Sequence, residues 1–294
     1  MLPNVRSRTA EATAAIRACH YAHDRPHLFV DPYAVHLTSP LWRMICRHRW
    51  LHRVVVRGLL GALRPVHGWI LVRDRLTEDL LRAFAANGGR QFVLLGAGFD
   101  STALRRPEWL SEVEIYEVDH PATQAVKLYR VANLEGAPQV TGFEAVAVDF
   151  ERERLGEGLA RSSFDGAAPA LFAWQGVIYY LSESAIRETL QEIAKLAVPG
   201  TELLFDFLLP EWTLEPDRRR VLSFARMFTA RLGEKYVSYH TVDALRSLLT
   251  EVGFEVISIR LDRELEQTYV SERDDDLSVM RGFGIVHARR REGR

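Results

Sequence analysis

Only two cysteines, Cys19 and Cys46, occur in 294 residues. That scarcity excludes a disulfide framework, and both fall within apolar-periodic stretches, as reduced core thiols of a cytoplasmic protein do. Net charge is also lacking: 38 Lys plus Arg oppose 39 Asp plus Glu. The chain therefore has no global field for nucleic acid or an anionic membrane. Long apolar runs are missing too. The greasiest stretch, 54–72, is interrupted by Arg57, Arg64, Pro65 and His67 and cannot span a bilayer. No uninterrupted apolar segment follows Arg6 and Arg8, so no targeting segment is expected. No His/Cys cluster has metal-ligand spacing, and the acidic run Asp274-Asp275-Asp276 reads as an exposed loop, so no metal is expected. What is left is a soluble chain, 47% hydrophobic and 26% charged, ordinary for a protein with a substantial core.

Two patterns divide this chain. Residues 1–90 read as a helical cap, with apolar residues at helical spacing over 10–19, 41–63 and 71–84. The turns at Arg25-Pro26-His27 and Asp31-Pro32-Tyr33 separate the first helix from the second. After Gly88-Gly89, short apolar runs alternate with helical ones. Strands are predicted at 92–95, 115–118, 143–148, 171–178 and 202–207, with a helix over 184–197. Such alternation signifies parallel βαβ units, hence an α/β, doubly wound, mostly parallel sheet over 91–294. A charged and then amphipathic stretch at about 210–240 interrupts it, placed as a lid beyond a strand end would be. The sheet resumes with a helix at 242–252 and strands at 256–261 and 284–288.

The chemistry concentrates at strand ends. The first strand ends in Gly96-Ala97-Gly98-Phe99-Asp100-Ser101, where glycines allow a tight turn and close approach to a cofactor. A plain strand-to-helix turn uses the same residues. Glu117 and Asp119 end the second strand, and a carboxylate there accepts hydrogen bonds from both ribose hydroxyls of a nucleoside. Asp149 after the third strand is placed to read an adenine amino group. A dinucleotide site would carry a third small residue and a helix N-terminus free for pyrophosphate. Here Ser101 and the anionic Asp100 occupy the loop, which suits a sulfonium and an α-amino group. S-adenosylmethionine is favoured over NAD, and an NAD-linked oxidoreductase is the alternative.

The ordered set of motifs resembles the leucine carboxyl methyltransferase family, including its bacterial S-adenosylmethionine-dependent O-methyltransferases. It comprises Ser7-Arg8-Thr9-Ala10, Asp31-Pro32-Tyr33, Arg73-Asp74-Arg75 with Asp79, and Leu95-Gly96-Ala97-Gly98-Phe99-Asp100. It continues through Glu117-Val118-Asp119-His120-Pro121 with Lys127, Val148-Asp149-Phe150, and Trp174-Gln175-Gly176-Val177-Ile178-Tyr179-Tyr180-Leu181. The resemblance implies a class I, Rossmann-like methyltransferase fold. It implies that Arg73 pairs with the methionyl carboxylate, helped by Arg8, as a guanidinium is shaped to do. It places Gly96 and Gly98 along the methionyl portion, Asp119 on the ribose, and Asp149 with Phe150 at the adenine. One departure is Gln175, where the family carries Glu. Loss of that charged hydrogen bond weakens cofactor binding by about 1–2 kcal/mol, and leaves a cofactor binder without turnover as a second alternative.

The acceptor expected from the resemblance is a carboxylate of a small acid. Such a group is already ionised and needs no general base, whereas an alcohol or phenol benefits from one. Two readings of Tyr179 and Tyr180 stand, bordering the reacting methyl or packing at a strand end. His240 reads as a substrate contact or base, or as a packing residue. Trp212, Phe224 and Phe228 in the insertion read as core more than as a substrate box. Arg43, Arg47, Arg49, Arg53 and Arg57, interleaved with Trp42 and Trp50, read as a solvated helix face more than as a nucleic-acid surface.

Overall fold

The computed structural model describes residues 8–134, 136, 140–150, 152–214, 216–231 and 235–291. Among these residues seven strands form one sheet: β1 Gln91–Leu95, β2 Glu114–Asp119, β3 Phe143–Ala147, β4 Ala170–Trp174, β5 Glu202–Leu208, β6 Phe254–Leu261 and β7 Phe283–Arg290. Their order is β3-β2-β1-β4-β5-β7-β6. The first five are parallel, and β7 runs antiparallel between β5 and β6. All residues of β1, β4 and β5 are buried, as strands covered by helices on both faces must be. The order reverses between β1 and β4, so their C-terminal ends open a crevice.

The helices are α1 Arg8–His23, α2 Pro40–Arg47, α3 Arg49–His52, α4 Arg64–Ala86, α5 Thr102–Arg105, α6 Pro121–Ala132, α7 Leu155–Leu159, α8 Glu183–Leu196, α9 Pro216–Arg231, α10 Val242–Glu251 and α11 Asp262–Tyr269. Helix α8 shows how the sequence builds such an element. Ser182 caps its start by accepting from the Ala185 N–H, and Ile186, Leu190 and Ile193, spaced for one face, are fully buried. No single helix among the described residues is long and apolar enough to cross a membrane.

Three expectations are corrected. The predicted helix over 41–63 is broken: His48 is extended, residues Arg53–Leu59 wind as a π-helix, and Gly61–Leu63 make a 3₁₀ turn. Three consecutive β-branched residues, Val54 to Val56, followed by Gly58 and Gly61, are poor α-helix formers. The fourth strand stops at Trp174 instead of reaching Ile178, because Gly176 turns at φ +70°; Ile178–Tyr180 form a 3₁₀ turn. The acidic run is the exposed loop expected, and ion pairs hold it. Asp276 pairs with Arg64 at 2.9 Å and Arg57 at 3.5 Å, and Asp275 pairs with Arg273. In the insertion, Leu222 is buried but Trp212 is exposed, against its reading as core, while the side chains of Phe224 and Phe228 lie outside the described residues.

The helical cap meets the sheet along α4. The segment before β7 crosses the start of α4, with the Met280 N–H donating to the Pro65 carbonyl at 2.8 Å. Gly68 makes that crossing possible, since a Cβ there would lie 2.0 Å from the Ser278 carbonyl oxygen. Gly68→Ala therefore costs about 1–3 kcal/mol, read as a lower urea midpoint. At the adjacent position, burial and the neighbouring Arg64 push the His67 imidazole down to about 4 from its ordinary 6.5. The unfolded chain then binds protons first, so His67 lowers stability as pH falls from about 6.5 to about 4 and has no effect above that window. His67→Leu makes the acid limb of a pH–Tm curve shallower; an unchanged limb would contradict the assignment.

Candidate active site

A cavity of about 1190 Å³ lies at the C-terminal ends of β1, β2 and β4 and continues beneath the cap. Its floor is the turn after β1. Gly96 and Gly98 have φ of +67° and +54°, and the N–H groups of Gly96 and Ala97 are anchored on the Val118 carbonyl. A Cβ on Gly98 would meet Ala10 of α1 at 2.9 Å, and one on Gly96 would meet Val177 at 2.6 Å. Glycine is thus required here both by conformation and by crowding. Asp119 stands beside this turn, accepting from the Gly98 N–H at 2.5 Å and the His120 N–H at 2.6 Å. Burial raises its carboxyl and these two N–H groups oppose the rise. Asp149 and half-exposed Phe150 line the cavity beyond β3.

A buried ionic network forms the opposite wall. Arg73 of α4 pairs with Asp206 of β5 at 3.2 Å and with Asp74 at 3.4 Å. Burial works to lower the Arg73 guanidinium, but Asp206 and Asp74 outweigh it and raise it further. The other oxygen of Asp206 accepts from the Gly176 N–H at 2.7 Å. A Cβ on Gly176 would sit 2.8 Å from Arg73 Nη1, so this glycine leaves room for the guanidinium. Arg17 of α1 reaches Asp31 at 2.8 Å and Asp74 at 3.4 Å, and donates to the Phe99 carbonyl at 2.5 Å. Ser101 donates to the same Asp31 oxygen at 2.6 Å. Asp100 also lines the cavity. Burial works to raise it, but Arg17, Lys127 and Arg105 prevail and hold it below its ordinary range. Burial prevails at Asp74, which is raised despite Arg73 and Arg17.

Beyond this wall the cavity becomes aromatic. Tyr179, Tyr180, Tyr236, Trp69 and Phe283 line it. The Tyr179 and Tyr180 rings lie 4.8 Å apart, Tyr179 and Tyr236 5.1 Å, and Trp69 and Phe283 4.8 Å. Burial raises the Tyr236 phenol, only partly opposed by hydrogen bonds to Thr229 and Tyr180. The extended segment after α9 brings Tyr236 here: Val237 donates to the Tyr179 carbonyl at 2.8 Å, and Ser238 to the Ile178 carbonyl at 3.0 Å.

Of the predicted site residues, Arg73, Gly96, Ala97, Gly98, Asp100, Asp119, Asp149, Phe150, Gln175 and Tyr180 converge on this cavity. Gln175 turns its amide toward α4, donating to Thr77 Oγ1. Glu117 and His240 do not line it. Glu117 lies two residues before the strand end, where α6 covers it and Lys127 pairs with it. Burial, opposed by that lysine, pushes its carboxyl up to about 7. His240 is held on the sheet side by its N–H bond to the Leu208 carbonyl, and burial lowers its imidazole. The Arg8 side chain lies outside the described residues. Sequence reasoning missed Arg17, Asp206 and Tyr236, and named Gly176 only as part of a motif. Asp206 did carry a signal, an acid inside an otherwise apolar strand.

A profile of the leucine carboxyl methyltransferase family matches residues 10–194. The Bacillus subtilis protein named "Putative S-adenosyl-L-methionine-dependent methyltransferase YktD" is 26% identical over 98% of this chain and 99% of its own length. A Mycolicibacterium paratuberculosis protein of the same general name is 33% identical over 74% of this chain and 81% of its own. Among solved structures, a DUF574 family protein from Streptomyces avermitilis shares the fold, with TM-score 0.58 and 12% identity over 94% of this chain and 97% of its own. Motif order, cavity and matched span agree, and the chain belongs to the leucine carboxyl methyltransferase family.

Proposed function

We propose that this protein is an S-adenosylmethionine-dependent methyltransferase that converts a carboxylate of a small organic acid to its methyl ester. The observation that carries the reading is the charge arrangement of the cavity. A buried guanidinium, Arg73, pairs with Asp74, and the carboxyls Asp100 and Asp119 line the same cavity along the glycine turn. That set complements a zwitterionic amino-acid head joined to a sulfonium and a ribose. A pyrophosphate would meet three carboxyls, which disfavours the NAD reading.

When bound, S-adenosylmethionine supplies an electrophilic methyl group. Arg73 would hold its carboxylate, Gln175 its amino group, Asp119 its ribose, and Asp149 with Phe150 its adenine. The cavity exceeds the 300–1,000 Å³ or so typical of a single-ligand pocket, leaving room for an acceptor in the aromatic chamber. There the protein's task is alignment and exclusion of water. The raised Tyr236 phenol stays protonated near neutral pH, and Tyr180 stands against it at a ring separation of 5.4 Å. These hydroxyls orient a carboxylate by donating to it. Two histidines line the cavity among the described residues: His67 is a weak base with its imidazole pushed down to about 4, and His120 caps α6 by accepting from the Ala122 N–H; His240 lies outside the cavity. An acceptor that is already ionised suits such a site better than an alcohol.

Calorimetry is expected to show micromolar S-adenosylmethionine binding, with no binding of NADH. Arg73→Ala and Asp206→Asn each weaken it by about tenfold or more, about 1.4 kcal/mol; binding indifferent to both would sink the site assignment. In a screen of small acids and matched phenols, methyl esters are the expected products. Tyr180→Phe then lowers kcat/KM for the acid by about tenfold, one donated hydrogen bond to a charged group, at unchanged cofactor affinity. Methylation of phenols alone would refute the carboxylate reading, and cofactor binding without any product would favour a binder without turnover.

A further inference from the structure

Near-zero total charge conceals segregation along this chain. Residues 32–73 contain seven arginines and no Asp or Glu. The middle of this stretch, α2, α3 and the π-wound turn, folds into a ridge. Its underside is anchored, with Ile45, Cys46 and Val56 packed on Ala18 and Cys19 of α1. Its outer side exposes Leu41, Met44, Trp50 at 66%, Val54 and Leu59 at 79%. Among the described residues these are five of the thirteen exposed large hydrophobics, concentrated within nineteen residues. The exposure is not unfinished packing, because the buried face of the same segment already has its partners.

Arginines interleave with these apolar side chains. Arg43, Arg47, Arg49 and Arg53 are exposed and form no ion pair among the described residues, whereas Arg57 is committed to Asp24 and Asp276. A nucleic acid would take up the guanidinium groups but gain nothing from Leu41, Val54 or Leu59. An anionic bilayer matches both chemistries: phosphates meet the arginines, apolar side chains enter the acyl boundary, and Trp50 suits the headgroup level. The ridge also borders the cavity, for Trp42, Leu60 and Leu63 line it. We propose that the ridge over 40–59 is a docking surface for anionic phospholipid bilayers, which sets the mouth of the cavity against the membrane. This reading does not depend on which acid is methylated.

The test is co-sedimentation of the full chain with vesicles of phosphatidylcholine alone and of phosphatidylcholine mixed with phosphatidylglycerol. The partition coefficient is expected to be about tenfold or more higher for the anionic vesicles and to fall with added salt. Trp50→Ser with Leu59→Ser, and separately Arg49→Glu with Arg53→Glu, are each expected to reduce it by about tenfold or more at unchanged Tm. Absence of vesicle binding, equal binding to neutral vesicles, or binding indifferent to both variants would overturn the proposal. So would light scattering that shows a wild-type dimer made monomeric by the same substitutions, since a second copy would then cover the ridge. Salt-sensitive binding to duplex DNA with no vesicle binding would likewise overturn it.

Discussion

A guanidinium buried in a protein interior is tolerated only when carboxylates and hydrogen bonds replace its water. That constraint on Arg73 organises the centre of this molecule. Its partners come from different parts of the chain, Asp74 from the same helix and Asp206 from β5, and Asp206 is itself held by the Gly176 N–H in the turn after β4. Helix α4 can therefore dock in only one register over the strand ends. Gly176 must lack a side chain, and β5 must carry an acid at a fully buried position. Replacing one member leaves the others as uncompensated buried charges, which is far more costly than losing an exposed ion pair.

The same network sets the electrostatics of the cavity. Asp74 is the bridge, facing Arg73 on one side and Arg17 on the other, and Arg17 carries the linkage to Asp31, Ser101 and the Phe99 carbonyl. Cap and glycine turn are thereby tied together on both sides of the opening. Asp100 is held ionised by surrounding cations while Asp74 and Asp119 are raised by burial. Carboxyls with different proton affinities thus line one cavity, and a cationic ligand entering it would favour the ionised form of each.

Much of the fold was legible because its strands are short, apolar and separated by turn residues. The predicted first, second and fifth strands each fall within a residue of those observed. Errors arose where local pattern and tertiary demand part company. The run after β4 continues apolar through Ile178, so periodicity extends the strand, yet the Asp206 carboxylate captures the Gly176 N–H and ends it. Glu117 and Asp119 look equivalent in sequence, and only the covering of Glu117 by α6 and Lys127 separates a buried ion pair from a cavity carboxyl. Tyr236 and His240 both stand at the end of the insertion, but the backbone bond to Leu208 turns His240 to the sheet while Tyr236 faces the aromatic chamber.

The sequence by itself determined the alternation of elements, the glycine turn after β1, the acids at successive strand ends and the guanidinium of Arg73, because each is a local requirement of backbone geometry or side-chain chemistry. Only the tertiary structure decided which of those groups share one cavity. The partners that complete it, Arg17, Asp206 and Tyr236, are far apart in sequence. Their meeting depends on how α1, β5 and the segment after α9 pack, a long-range outcome that no local pattern encodes. The segregation of arginines and exposed apolar side chains onto one ridge is of the same kind. Composition averages it away, and the broken helical path over 40–63 with its single buried side brings it to the surface.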